Sequence, residues 1–126
     1  PITTIKGVLD KTTGVEPFNT PAKVVELGRK GSFGRYASKK LKTLPVCLLY
    51  NLDTTGGNSG SPLLNALGEL VGVNFDRAYG ATINDFAWDE SYSRSIAVDI
   101  RYVLWMTGEV AGAGHLIREM GIESAD

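Results

Sequence analysis

Alternating β-branched and polar positions in TTIKGVLDK, residues 3–11, predict an opening strand. The period then changes. In NTPAKVVELGRKG, Val24, Val25 and Leu27 gather on one face, which predicts a short helix with Thr20 as N-cap, Pro21 at its first position and Gly28 as its stop. A basic loop, RKGSFGRYASKKLK, follows. LPVCLLYNL, residues 44–52, is a continuous apolar run of strand length, and SPLLNALGELVGVNF reads as two strands turned over residues 65–68. Beyond a loop at 76–93, RSIAV predicts a last strand, DIRYVLWM a helix capped by Asp99, and VAGAGHLIREMG a second helical piece ending at Gly121. Strands first and helix last predict a mainly β fold, a barrel or half-barrel with a C-terminal α-helix packed on it.

Length and charge narrow the picture. A chain of 126 residues, 43% hydrophobic, is long enough for one compact core and short for two ordinary domains. Thirteen basic and fourteen acidic side chains leave a net charge of −1, which argues against a global field that draws in nucleic acid or an anionic membrane. The distribution is uneven: residues 1–50 hold nine Lys/Arg and three Asp/Glu, residues 51–126 four and eleven, so the halves should attract one another. No apolar run approaches the roughly 20 residues of a membrane span. Cys47 lies in an apolar run and reads as a buried, inert thiol. No metal-ligand cluster or cofactor motif is expected. The opening PITTIKG reads as the middle of a protein rather than its beginning.

Candidate chemistry sits in TTGGNSGSP, residues 54–62. A serine hydroxyl becomes a nucleophile only when a turn exposes it, a base takes its proton and donors meet the developing oxyanion. Gly56, Gly57 and Gly60 permit the backbone angles that turn successive N–H groups inward, so the amides of Gly57 and Ser59 could converge on one oxygen. The stretch is not a G-x-S-x-G elbow, because Ser61 stands where the last glycine would be, and no Gly-Lys-Ser/Thr makes it a phosphate loop. Taken alone, such a loop is more often a connector than a catalytic loop.

The flanks carry more information. An apolar strand, then GGNSGSPLLN, then GELVGVNFD, resembles the catalytic loop and following hairpin in the second barrel of chymotrypsin-fold serine peptidases. The longer run TTGGNSGSPLLNALGELVGVNFDR, with SRSIAVDIRYVLWM and VAGAGHLIREM after it, is similar to the C-terminal end of the bacterial dipeptidyl peptidases 7 and 11. That resemblance covers nearly the whole chain. It implies part of the second β-barrel of a double-barrel fold, Ser59 as acyl-forming nucleophile and the amides of Gly57 and Ser59 as oxyanion donors. It also implies that the partner histidine and aspartate lie in a first barrel, and that a helical region lies upstream, both outside these residues. The 126 residues then read as a fragment, inactive alone, whose function belongs to a longer enzyme. The only histidine, His115, falls in the terminal helix and reads as a surface or packing residue.

The resemblance also suggests a substrate. Arg77 lies beyond the hairpin where the substrate-binding strand runs, and its rigid fork of donors suits a carboxylate. By residue type alone Arg77 reads first as a surface partner of Asp76 or Asp85, an order that the resemblance reverses. In the acid-specific branch an arginine at the matching place selects Asp or Glu, and the residue matching Asp76 holds the free α-amino group, so that a dipeptide is measured off. The implied partners are a peptide with a free N-terminus and an acidic second residue, and the remainder of the parent, for which a homodimer is one implied arrangement. The implied location is the periplasm or surface of a Gram-negative bacterium. Three alternatives stay open: a glutamyl endopeptidase of the same clan, a non-catalytic binding barrel, and a nucleic-acid module using the basic loop with Phe33 and Tyr36 and its GSFG.

Overall fold

The computed structural model describes residues 1–122. In chain order the elements are β1 (Ile2–Thr4), α1 (Ile5–Lys11), α2 (Ala22–Lys30), a 3-10 turn (Gly34–Tyr36), β2 (Pro45–Tyr50), β3 (Pro62–Leu64), β4 (Leu70–Arg77), a 3-10 segment (Tyr79–Asp85), β5 (Ser95–Asp99), α3 (Ile100–Trp105), a π-helical turn (Met106–Val110) and α4 (Gly114–Glu119). The strands form one sheet in the order β1-β2-β5-β4-β3, and the β2–β5, β5–β4 and β4–β3 ladders are antiparallel. The chain groups into two compact units: residues 1–2 with 47–100, and residues 3–46 with the stretch from Arg101 on.

Within the first unit, β4 and β5 carry small residues on their buried face. Ser95, Ala97 and Asp99 alternate inward on β5, and Gly72 and Asn74 do so on β4. A Cβ on Gly72 would lie 2.8 Å from the Val98 carbonyl oxygen and 3.2 Å from Ala97 Cβ, so only glycine keeps the ladder at this spacing. The β3–β4 hairpin follows its sequence signals. The Asn65 side chain accepts the N–H groups of Leu67 and Glu69, which closes the turn that leads from Pro62–Leu64 into Leu70–Arg77.

In the second unit the core is Trp105, Leu44, Val24, Ile5, Tyr36 and Ile117. Trp105 is fully buried, and its indole N–H donates to the Ser32 carbonyl at 2.9 Å. Phe33 meets its edge at 6.2 Å between centroids, and Tyr36 is buried. The two aromatics of the basic loop therefore serve this core rather than presenting a stacking surface, which removes the main support for the nucleic-acid reading.

Several local expectations are corrected. Residues 5–11 are helix, not strand. Ile5, Val8 and Leu9 stand at the i, i+3, i+4 spacing of a helical face, and that period prevails over the β-branched composition. Gly28 does not stop α2. A Cβ there would lie 3.2 Å from Ile5 Cγ1, so this glycine is where α1 and α2 meet, and α2 runs on to Lys30. The αL residue that closes it is Gly31, with Ser32 N–H reaching back to the Leu27 carbonyl. Thr20 does not cap α2, which starts at Ala22 after Pro21. Its hydroxyl bonds that of Thr12 at 2.7 Å. Cys47 is half-buried rather than buried. Asp99, by contrast, stands where it was expected, directly before α3, where it also closes β5 and is buried. The segment read as loop from 76 continues β4 to Arg77 and then coils into the 3-10 segment. His115 is exposed on α4.

Candidate active site

Two glycines shape the serine loop. Gly57 has φ of 101° and Gly60 of 86°, conformations that a side chain would strain, so the turn around Ser59 is built on residues that reach it without cost. Asn58 ties the loop to itself, since its Oδ1 accepts the Thr55 N–H at 2.9 Å and its backbone N–H reaches the Thr55 carbonyl at 3.2 Å. Ser59 is left exposed at the apex. Among the described residues, the N–H groups of Gly57 and Ser59 have no protein acceptor, and both remain available to a ligand oxygen.

The loop is pinned to β4 by Asn74, a residue that the sequence reading passed over. Asn74 is buried. Its Nδ2 donates to the Asn58 carbonyl at 3.0 Å, its own carbonyl accepts Gly60 N–H at 2.8 Å, and its N–H donates to the Ser61 carbonyl at 2.9 Å. The Tyr50 hydroxyl donates to its Oδ1. Burial raises the Tyr50 pKa above the ordinary phenol value, which keeps that proton in place, and a hydrogen bond with Ser95 opposes the shift. The available signal was a lone amide in the apolar strand LVGVNF. Such a residue needs partners once buried.

Beyond Asn74 the strand breaks its alternation. Asn74 pairs with Ala97 and Asp76 with Ile96, so Phe75 is an extra residue, a β-bulge. In a regular strand neighbouring side chains face opposite ways. Here residues 74–77 all line one cleft of about 130 Å³, together with residues 54–56 and Ser59. Asp76 and Arg77, back in the ladder opposite Ile96 and Ser95, thus line the same cleft as Ser59.

Arg77 is held on two sides. Its Nη1 and Nη2 donate to Asp85 Oδ1 and Oδ2 at 2.8 and 3.0 Å, a bidentate pair, and Nη1 also approaches the Thr54 carbonyl at 3.4 Å. The surface pairing weighed from residue type is therefore present, with Asp85 as its partner. Asp76 Oδ1 accepts the Arg77 backbone N–H at 2.8 Å, and an ionised carboxylate retains further acceptor sites. The hydrogen bonds from Arg77 hold the Asp85 carboxyl below its ordinary value, and the same bonds raise Arg77. The sign follows. The pair stabilises the fold above the unfolded carboxyl pKa and is lost as pH falls through the depressed folded value. In a carboxyl NMR titration, Asp85 is expected to titrate below an unstructured aspartate, and Arg77→Ala should return it towards the ordinary value. An Asp85 midpoint unmoved by Arg77→Ala would refute the pairing in solution.

Comparison with known proteins gives this arrangement a context. A family model described as peptidase S46 matches residues 1–122. The chain is 47% identical over 119 residues to the Asp/Glu-specific dipeptidyl-peptidase of Capnocytophaga gingivalis, covering 94% of this chain and 17% of that protein. It is also 47% identical over 121 residues to dipeptidyl-peptidase 7 of the same organism, covering 95% and 17%. Among solved structures, Porphyromonas endodontalis DPP11 in complex with the dipeptide Arg-Asp matches with a TM-score of 0.89 at 38% identity, over 94% of this chain and 17% of that one. The chain thus spans about 17% of the length of these relatives.

Proposed function

The chain belongs to the peptidase S46 family, and on that premise we propose that it is the nucleophile-bearing part of a serine dipeptidyl peptidase that cuts after Asp or Glu. The observation that carries this reading is the cleft that Ser59 shares with Asp76 and Arg77. Ser59 Oγ attacks the carbonyl of the substrate's second residue, and the N–H groups of Gly57 and Ser59 receive the oxyanion. Collapse expels the amine of the shortened peptide and leaves a dipeptidyl ester on Ser59, which water then hydrolyses. Asp76 accepts the substrate's α-ammonium, so only two residues fit before the cut, and Arg77 receives the acidic side chain.

The chain holds one histidine, His115, and the base that relieves Ser59 of its proton is assigned to the rest of the parent enzyme. The isolated 126 residues are expected to be inactive. The same reading completes the five-stranded sheet as the second barrel of a chymotrypsin-like pair and sets the parent in the periplasm or at the cell surface.

The test uses the full-length polypeptide that carries this chain, with reporters released from dipeptides ending in Glu and in Leu, and from the Glu dipeptide with its amine acetylated. Glu is expected to exceed Leu, and acetylation to abolish release, whereas a glutamyl endopeptidase would keep the acetylated substrate. Arg77→Ala should lower kcat/KM for the Glu substrate about 10- to 100-fold and leave Leu nearly unchanged. Equal turnover of Glu and Leu by the unaltered enzyme would sink the assignment of specificity.

A further inference from the structure

We propose that Asp85 is an internal occupant of the Arg77 fork, a carboxylate built into the fold that an acidic substrate side chain must displace. The inference rests on Arg77 being the selector. Asp85 and the side chain of a substrate Asp or Glu are the same functional group, and Asp85 meets both terminal nitrogens of Arg77 at 2.8 and 3.0 Å. That is the bidentate geometry in which a guanidinium recognises a carboxylate. Two carboxylates on one fork repel each other, so occupancy by one disfavours the other.

The position of Asp85 is built, not incidental. Its neighbour Asn84 is buried, accepts the Ser93 hydroxyl at 2.7 Å and approaches the Thr54 carbonyl at 3.4 Å, the oxygen that Arg77 Nη1 also faces. Ala81 in the same 3-10 segment is fully buried. These anchors fix the backbone of Asp85 beside the fork, while its side chain stays 48% exposed against 22% for Arg77. The carboxylate therefore has water to turn into when it is displaced. Arg77 stays sheltered in the cleft wall.

Two consequences follow for binding. An acidic side chain gains its pairing with Arg77 minus the pairing it breaks, so acid affinity is held down. A neutral side chain meets a compensated ion pair rather than a bare cation. Asp85 therefore tempers the preference that Arg77 creates, and without it discrimination between Glu and Leu sharpens.

The experiment measures KM and kcat of the full-length polypeptide for the Glu and Leu dipeptide reporters in the unaltered enzyme, Arg77→Ala, Asp85→Asn and Asp85→Ala. Asp85→Asn keeps the size of the side chain and Asp85→Ala removes it. Thermal melting of each variant separates a misfolded segment from a bared fork. Both Asp85 variants are expected to lower KM for Glu about three- to tenfold, with kcat and the Leu KM little changed. If KM for Glu is unchanged or raised in both, while Arg77→Ala still abolishes the acid preference, Asp85 is no competitor and the proposed function stands. If the unaltered enzyme shows no acid preference for Arg77→Ala to remove, both readings fall.

Discussion

Replacing Ser59 by alanine in the full-length polypeptide is expected to lower turnover of a Glu-ending dipeptide reporter roughly 10⁴- to 10⁶-fold, with KM within a few-fold of its unaltered value. The asymmetry follows from what the substitution removes. The cleft walls formed by residues 54–56 and 74–77 remain, and with them the contacts made before reaction. The Oγ that forms the ester is gone. What survives is acceleration from the two loop amides and from binding, which still exceeds the uncatalysed rate in triad enzymes. A phosphonate or fluorophosphonate probe should correspondingly label the unaltered protein and not the alanine variant. Turnover above about a tenth of the unaltered rate, or labelling that persists, would place the nucleophile elsewhere.

The second large effect concerns a residue that touches no reacting atom in this reading. Asn74→Ala is expected to destabilise the fold by about 2–4 kcal/mol, because it strips the partner from the Asn58 carbonyl and the Tyr50 hydroxyl in a buried setting. The backbone bonds from Asn74 to Gly60 and Ser61 persist, so the loop is loosened rather than released. Activity should fall with the fixed geometry of the Gly57 and Ser59 amides, mainly in kcat. Tyr50→Phe, which removes one of the two side-chain partners and leaves no cavity, should cost about 1 kcal/mol. Denaturant melts of the two variants check the ordering. Equal stability of Asn74→Ala and the unaltered protein would mean that the loop is held by its glycines alone.

The sequence was most legible where the determinants are local. Asn65 and Gly68 mark the hairpin between β3 and β4, the run before Asn51 has the length and content of a strand, and Ser59 stands in a loop whose glycines announce a special backbone. Legibility ended where partners are distant. Asn74 finds its side-chain partners 16 and 24 residues away, and nothing in LVGVNF says that its amide will anchor a loop. The bulge at Phe75 is a property of the ladder with β5, not of β4 alone. Gly28 was misread because a glycine required by the close approach of Ile5 looks the same in sequence as one required at a helix end. The first helix was missed for a different reason. Its seven residues are too few for composition to outweigh the β-branched lead of Thr3, Thr4 and Ile5.

The extra residue at Phe75 also separates two sets of constraints along a single strand. Up to Asn74, each side chain of β4 answers to the sheet: Gly72 because a methyl would strike Val98, and Asn74 because it carries the loop. Past the bulge Asp76 and Arg77 return to the ladder opposite Ile96 and Ser95, and both line the cleft. On the proposed reading, exchanging the residues after the bulge would alter what the cleft accepts while the ladder before it stays the same. A single-residue deletion at position 75 would join Asn74 directly to Asp76 in the pairings they already make with Ala97 and Ile96, so the strand would become regular with its register kept, and the cleft would lose the wall that Phe75 supplies.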